Sequence, residues 1–595
     1  MAIIVQKFGG TSVADTAKIM AAARKAVRTQ QDGHQVVMVV SAMGKNTDML
    51  VELANEISGQ PPAREMDMLL STGEQVSVAL MAMAIDALGH KAVSLTGAQI
   101  GVRTDSTHTN ARIISISTDR MQSLLDAGNI VIAAGFQGID EDFNITTLGR
   151  GGSDTTAVSL AAVLGASCEI YTDVDGVYTT DPRKLPEARK VSRVSYDEML
   201  EIASVGAGVM HSRSIEFAKK YAVPIHVRSS MSDGIGTIIA ESPESHDRAV
   251  STAAVTMDEA RITLSAVPDL PGTSHAVFSV LANENITVDM VVQDVGDNGK
   301  SNISFTVPEA ELDLALKALK PVAGQMAFGA ITHDANVAKV SVVGLGMAQQ
   351  TGVAETMFKV LAEKDINIFM ITTSEIKISC LVEREVALDA LRAVHNAYDL
   401  HVQPENVIQV GSPSEEIQRD EATRASVAER LRGVGMEDLS IESITLDDSQ
   451  SSVSILGLTD RPGVADTVFS HVAKAGVLVD MIILSYSEKD GNASMSFTCP
   501  AQSREAAIAA LEQLKEEVGF REILSQQSVG KLSVAGVGLR SHTGVGIRMF
   551  RSLSEAGINV DMINTSEVNV NVIVNGQHNE RALEELEDAF ADVLR

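Results

Sequence analysis

The feature that most restricts the fold of this 595-residue chain is a duplication in its C-terminal half. The stretch "VPDLPGTSHAVFSVLANENITVDMVVQD" at 267–294 returns as "LTDRPGVADTVFSHVAKAGVLVDMIILS" at 458–485. Its Pro-Gly pairs (271–272 and 462–463) and its aspartates (289 and 480) are each 191 residues apart. A second pair, "NIFMITTSEIKIS" at 367–379 and "NVDMINTSEVNVN" at 559–571, keeps nearly the same offset. Within each long unit a weaker repeat aligns Gly272 with Gly352 and Gly463 with Gly544. The tail is therefore four copies of one module of about 80 residues. Each reads strand, glycine turn, amphipathic helix, strand; in the third, Val464, Val468, Phe469 and Val472 recur at helical spacing. The hydrophilic stretch "GSPSEEIQRDEATRAS" at 411–426 reads as a linker or an exposed helix.

The first 240 residues follow another rhythm. Short apolar runs ("AIIV", "VVMVVSAM", "KAVSLTG", "NIVIAAGF", "CEIYTD") alternate with helical patterns such as the one near Thr16–Thr29. This predicts a mainly parallel sheet covered by helices on both faces, with ligands gathering at the carboxyl ends of its strands. The boundaries expected are 1–245 for this α/β domain, 246–330 and 331–410 for the first two modules, 411–437 for the linker, and 438–525 and 526–595 for the last two modules.

Charge narrows the function. With 78 acidic and 48 basic side chains the formal net charge is −30, which disfavours a general binder of nucleic acid or anionic membrane. An anionic ligand would need local attraction from a few Lys or Arg, backbone N–H groups and helix N-termini. Cys168, Cys380 and Cys499 lie far apart in no metal-ligand spacing, so a reducing cytoplasm is expected. No apolar run approaches the roughly 18 residues of a membrane span.

Three stretches carry chemistry. "KFGGTS" puts Lys7 at a strand end before Phe8, Gly9 and Gly10, with Thr11 or Ser12 able to cap a helix. It reads equally as a phosphate site or as a solvated lysine after a tight turn. "LGRGGSDTTAVSLAAVLG" puts Arg150, Gly151, Gly152, Ser153 and Asp154 before a helix, either an anion site where Asp154 could face a metal or orient the lysine, or a capped helix with a surface Arg. "YTDVDGVYTTDPR" surrounds an Asp175–Gly176 hairpin signal with Thr172, Asp173, Tyr178, Asp181 and Arg183, enough for a polar nucleotide rim or for an ordinary hairpin. In the tail, Asp269-x-Pro-Gly and Asp460-x-Pro-Gly put an aspartate before a helix start. It serves there either as an N-cap or as part of a carboxylate-ligand site. No Walker A loop and no protein-kinase signature is present.

Taken in order and spacing, "KFGGTS", "SAMGKNTD" (41–48), "STGE" (71–74), "GRGGSDTTA" (149–157) and "YTDVDGVYTTDPR" (171–183) resemble the aspartate kinases of the amino-acid kinase family, and the tail resembles ACT modules. The resemblance implies an α/β/α sandwich followed by four α+β, ferredoxin-like modules. It implies that MgATP phosphorylates the side-chain carboxylate of L-aspartate. Lys7 would then neutralise the transferring phosphoryl beside Gly9 and Gly10, and Arg150 would hold the aspartate α-carboxylate. Glu74 would meet the ammonium, Thr47 would orient the substrate, and Gly151, Gly152 and Ser153 would line its site. Phe8, Ser41, Thr172, Asp173, Tyr178, Asp181 and Arg183 would line the nucleotide site. Lysine, threonine, both together or methionine would inhibit through a homodimer joined by ACT modules, at sites drawn from Asp269, Gly272, Val288, Asp289, Gln293, Asn367, Ile368, Asp460, Gly463, Asp480, Asn559 and Val560. Many relatives carry a lysine in a "GAK" stretch near the nucleotide; here it reads Gly206-Ala207-Gly208, leaving Arg213 or Lys219 as replacements.

Overall fold

The structure is a computed structural model that describes residues 2–205, 208–293, 299–350, 352–408, 435–487, 492–539 and 544–594. Gly206, Ala207 and the expected linker up to residue 434 lie outside the described residues.

The first domain is built on an eight-stranded sheet. Its order is Arg193–Ser195, Thr237–Ala240, Ile225–Ser229, Ser167–Thr172, Ile3–Phe8, Gln35–Val40, Ile130–Ala134, Ala92–Leu95. Every described pairing is parallel except that of Ile225–Ser229 with Thr237–Ala240. "QVVMVV" is a near-continuous apolar run because its strand is buried on both faces. Val36, Met38 and Val40 pack under helices Thr16–Gln31 and Ala63–Ala87, while Val37 and Val39 pack toward helix Gly152–Leu164. The parallel strands end together at one edge, which collects Lys7, Ser41 and Thr172. A small sheet not foreseen from the sequence (Val102–Thr104, Ile113–Ile116, Gln137–Ile139 and Ile145–Thr147) feeds the chain into the Gly149–Gly152 turn.

Helix Ala63–Ala87 corrects one expectation. By length and composition it is apolar enough to cross a bilayer. Half of its most apolar stretch is buried inside the domain, and it carries Asp67 and Glu74 into the interior. Its hydrophobicity serves the core.

The four modules share one twelve-stranded sheet. Module one supplies Thr252–Pro268, Asp289–Gln293 and Lys300–Pro308; module two supplies Ala330–Val343, Met370–Thr373 and Lys377–Glu383. The third and fourth repeat the pattern with Ser440–Thr459, Ile482–Ser487, Asn492–Pro500 and with Glu522–Val537, Met562–Thr565, Asn569–Asn575. The two ends of the sheet, Asp289–Gln293 and Met562–Thr565, come back against each other. Met290, Val292, Val337, Met370, Leu381, Met481, Ile483, Val529, Met562 and Ile573, from all four modules, form the core enclosed within. Outside, helices pair: Phe278 of module one lies 5.8 Å from Phe550 of module four, and Phe358 of module two 5.4 Å from Phe469 of module three. Pairing is thus first with fourth and second with third, inside one chain.

Candidate active and regulatory sites

Lys7 lies one residue before the end of the central strand, 9% exposed, with Nζ 2.6 Å from Asp154 Oδ1. Asp154 is in the first turn of helix Gly152–Leu164, so a fixed cation and the positive end of a helix converge. The aspartate orients the lysine. A Cβ on Gly9 would stand 3.4 Å from Lys7 Nζ, and one on Gly10 would stand 2.8 Å from the Ala42 carbonyl oxygen. The glycines therefore keep the approach to the lysine open and the turn close to the next strand. Three expectations are corrected here. The Gly9 N–H is donated to the Tyr171 carbonyl at 3.3 Å, so it is not free for a phosphate. The Phe8 side chain is fully buried and stacks on Tyr171 at 4.7 Å, which makes it core. Neither Thr11 nor Ser12 caps the following α-helix; Asp15 does, accepting the Lys18 N–H at 2.9 Å.

"STGE" falls in the middle of helix Ala63–Ala87. Gly73 lets the helix close on Ala42, whose Cβ would stand 2.9 Å from a Cβ at position 73. Glu74, 3% exposed, accepts the Ala42 N–H through Oε1 at 3.1 Å, and its Oε2 has no hydrogen-bond partner among the described residues. Burial pushes the Glu74 carboxyl up to about 7. Such a group gains greatly from an incoming ammonium. Thr47, on helix Asn46–Ile57, is half-buried.

Arg150 is exposed between Gly149 (φ 75°) and Gly151 (φ 70°) and has no ion pair among the described residues. Both glycines sit in the left-handed region, and a Cβ on Gly151 would stand 2.3 Å from that of His211. Ser153 is buried at the start of the helix.

One group behind this loop was missed in the sequence. Asp67 is fully buried; it accepts from Thr109 N–H at 3.0 Å and from the Thr147 hydroxyl, and lies 2.6 Å from His108 Nδ1. Its position seven residues before Glu74, on the same helical face, was the available signal. Arg213 donates to the carbonyls of Leu148 and Ala111 and to both oxygens of Glu437, at 2.5 and 2.7 Å to the carboxylate. Lys219 pairs with Asp197 at 2.9 Å and Glu442 at 3.6 Å. Arg213 and Lys219 are thus engaged elsewhere and do not replace the absent lysine.

Beyond the end of strand Ser167–Thr172, the chain as far as Arg183 is an irregular loop. The expected hairpin does not form, and Tyr178 makes one isolated bridge with Lys190. Tyr178 donates its hydroxyl to Asp175 at 2.7 Å, and Thr172 donates to Asp173 at 3.2 Å. Arg183 reaches both oxygens of Asp181, at 2.9 and 3.0 Å, and hydrogen bonding from that guanidinium holds the carboxyl below its usual range. Ser41 is half-buried at the adjoining strand end. Among the described residues no cluster of three His, Cys, Asp or Glu is arranged to hold a metal ion.

In the tail, Gly272 (φ 96°) and Gly463 (φ 85°) start the helices, and neither Asp269 nor Asp460 caps them. Each aspartate faces a paired module: Asn559 Nδ2 donates to Asp269 and Asn367 Nδ2 donates to Asp460, both at 2.8 Å. The asparagines, with Ile368 and Val560, lie in the segments leading into strands, not within them. Gln293 donates to the Val560 carbonyl at 3.0 Å and accepts the Ser274 hydroxyl at 2.9 Å. Leu484 and Ala465 stand at the corresponding places beside Asp460, so the second site is more apolar. Asp289 and Asp480 do not join these sites. Each pairs with a lysine of a nearby strand, Lys339 and Lys531. Val288 and Asp289 instead line a separate cavity of about 140 Å³ between modules one and four, with Lys377, Leu539, Phe550 and Glu567.

A parallel α/β domain with a lysine–aspartate pair at a helix N-terminus, continued by four paired α+β modules, defines an amino acid kinase with ACT regulatory domains. The amino acid kinase family profile matches residues 2–229, and the ACT domain profile matches 265–321, 340–398, 453–514 and 532–590. Aspartokinase 2 of Bacillus subtilis (strain 168) is 49% identical over 409 residues, 68% of this chain and 100% of the relative. The aspartate kinase structure from Synechocystis is 37% identical with a TM-score of 0.51, covering 99% of this chain and 98% of that one. The structure of E. coli aspartokinase III in complex with aspartate and ADP (R-state) is 25% identical with a TM-score of 0.57, covering 66% and 99%. The chain belongs to the aspartokinase family and is a kinase.

Proposed function

We propose that the chain transfers the γ-phosphoryl of MgATP to the side-chain carboxylate of L-aspartate, giving 4-phospho-L-aspartate and ADP, the first step towards lysine, threonine and methionine. The observation that carries this is the Lys7–Asp154 pair at the N-terminus of helix Gly152–Leu164, beside glycines that leave the approach open. The acceptor carboxylate is already ionised near neutral pH, so no general base is required. The protein's task is alignment and neutralisation of charge along an in-line path. Lys7 bears on the transferring phosphoryl, Arg150 takes the α-carboxylate, and the free oxygen of Glu74 takes the ammonium, with Thr47 and Ser153 at the rim. Thr172, Asp173, Tyr178, Asp181 and Arg183 line the nucleotide, together with Ser41 and the backbone at Gly10. Mg²⁺ would screen the phosphates and be held chiefly by their oxygens, which fits a site where the described residues form no cluster of three His, Cys, Asp or Glu.

The effector reading is L-lysine, L-threonine or both. Asp269, with Gln293 and Asn559, suits an amino acid's ammonium and carboxylate; the Asp460 and Asn367 site offers fewer polar groups. The homodimer remains our proposal with one constraint: the sheet ends already meet within one chain, so a second copy would dock on other surfaces. Light scattering at twice 63.1 kDa would support it. An ADP-release assay with L-aspartate, L-glutamate and no acceptor tests the activity. Equal rates with all three would sink it.

A further inference from the structure

Thr179 sits in the loop between Tyr178 and Asp181 and is completely buried. Its N–H donates to the Arg189 carbonyl at 2.8 Å, and its hydroxyl accepts the Arg189 N–H at 3.0 Å. Its two remaining bonds leave the kinase domain. The carbonyl accepts the Ala253 N–H of module one at 2.8 Å, and the hydroxyl shares a 2.9 Å hydrogen bond with Nε2 of His395, on helix Ala387–Ala397 of module two. Five residues on, Lys184 donates to the Val255 carbonyl of module one at 3.1 Å. The loop is thus pinned from outside its own domain at Thr179 and at Lys184.

We propose that His395 is a positioning residue for the nucleotide loop, acting through Thr179. His395 is completely buried, and its Nδ1 has no hydrogen-bond partner among the described residues, so Thr179 is the polar contact that orients the ring. A buried imidazole stands there although an apolar side chain would satisfy the helix packing and leave no nitrogen unpaired. What the imidazole adds is a directional hold on Thr179, and through it on the placement of Tyr178 and Asp181. The kinase domain then borrows part of its nucleotide site from a regulatory module. Any movement of module two reaches the nucleotide without passing through the aspartate site.

This rests on the reading of Thr172–Arg183 as the nucleotide site. The test is initial-rate kinetics on the full chain with ATP and L-aspartate varied in turn, for His395→Ala, Thr179→Val, the double variant and His395→Gln, whose amide can still reach the hydroxyl. Asp181→Ala serves as the loop control. Losing one buried hydrogen bond should raise KM for ATP by about 5- to 10-fold in each single variant, with KM for aspartate moved less than about twofold. The double variant should be no worse than the singles, and His395→Gln should recover most of the loss. An unchanged KM for ATP in folded Thr179→Val overturns the inference even if His395→Ala fails to fold. So does a parallel rise of both KM values, which would mark a purely structural role. If Asp181→Ala also leaves ATP binding intact, the nucleotide reading falls and takes the inference with it. If Asp181→Ala impairs ATP binding while the His395 and Thr179 variants do not, the inference alone falls.

Discussion

At the scale of single residues, the proposed site rests on charges held where water is scarce. Lys7→Ala should lower kcat about 10²–10³-fold while moving KM for aspartate far less, because the lysine matters most where phosphoryl charge redistributes. Steady-state kinetics on the folded variant checks this. Glu74 supplies a pH test. Burial raises its carboxyl to about 7, so below that pH the group is largely protonated and above it ionised. If the ionised form receives the substrate ammonium, kcat/KM for aspartate should rise with pH through about 7 in the free enzyme. Glu74→Gln should flatten that limb while leaving KM for ATP near its original value. A pH profile unchanged in Glu74→Gln would remove Glu74 from the substrate site.

At the scale of elements, the two turns that look alike in sequence are not equivalent. The Asp269 turn meets Asn559 and Gln293, whereas the Asp460 turn meets Asn367 and an apolar wall containing Leu484. Asp269→Ala should therefore weaken amino-acid inhibition more than Asp460→Ala, and the pair together should leave little inhibition with the uninhibited rate preserved. Dose–response curves for L-lysine and L-threonine measure this; equal, full sensitivity in the double variant would exclude both turns. The helices opposite these turns also set stability. Phe550 packs on Phe278 across the pair of modules one and four, so Phe550→Ala should cost about 3–5 kcal/mol, read by denaturant unfolding.

At the scale of the whole molecule, the enclosed core of the twelve-stranded sheet needs all four modules. A chain ending at residue 410 would uncover Met290, Val292, Val337, Met370 and Leu381, and would free the edge of strand Met370–Thr373 that pairs with Ile482–Ser487. Apolar surface joined to an unpaired strand edge favours a second copy. We expect the shortened chain to self-associate, with light scattering as the readout, and a monodisperse monomer would contradict the expectation. The catalytic body is tied to this assembly by charge as well. Glu201 is fully buried on helix Tyr196–Ser204, pairs with Lys377 of module two at 2.7 Å and accepts the Glu567 N–H of module four at 2.9 Å.

The sequence by itself determined the elements whose causes are local. Continuous apolar runs marked the buried parallel strands, glycine at Gly272 and Gly463 marked the helix starts, and the offset of 191 residues marked the duplicated tail. It also put Lys7 and Asp154 on the page as candidates, because a charge beside glycines at a strand or helix end is a local signal. Tertiary structure alone decided which candidates meet. Lys7 and Asp154 are 147 residues apart in the chain and join because one strand and one helix end at the same edge of the sheet. Gly9 loses its N–H to Tyr171, and Asp289 and Asp480 lose their carboxylates to Lys339 and Lys531. Module pairing of first with fourth, and the reach of His395 to Thr179 across 216 residues, are equally invisible in sequence. A repeat shows that copies exist, but which faces touch depends on how the closed sheet buries its apolar surface.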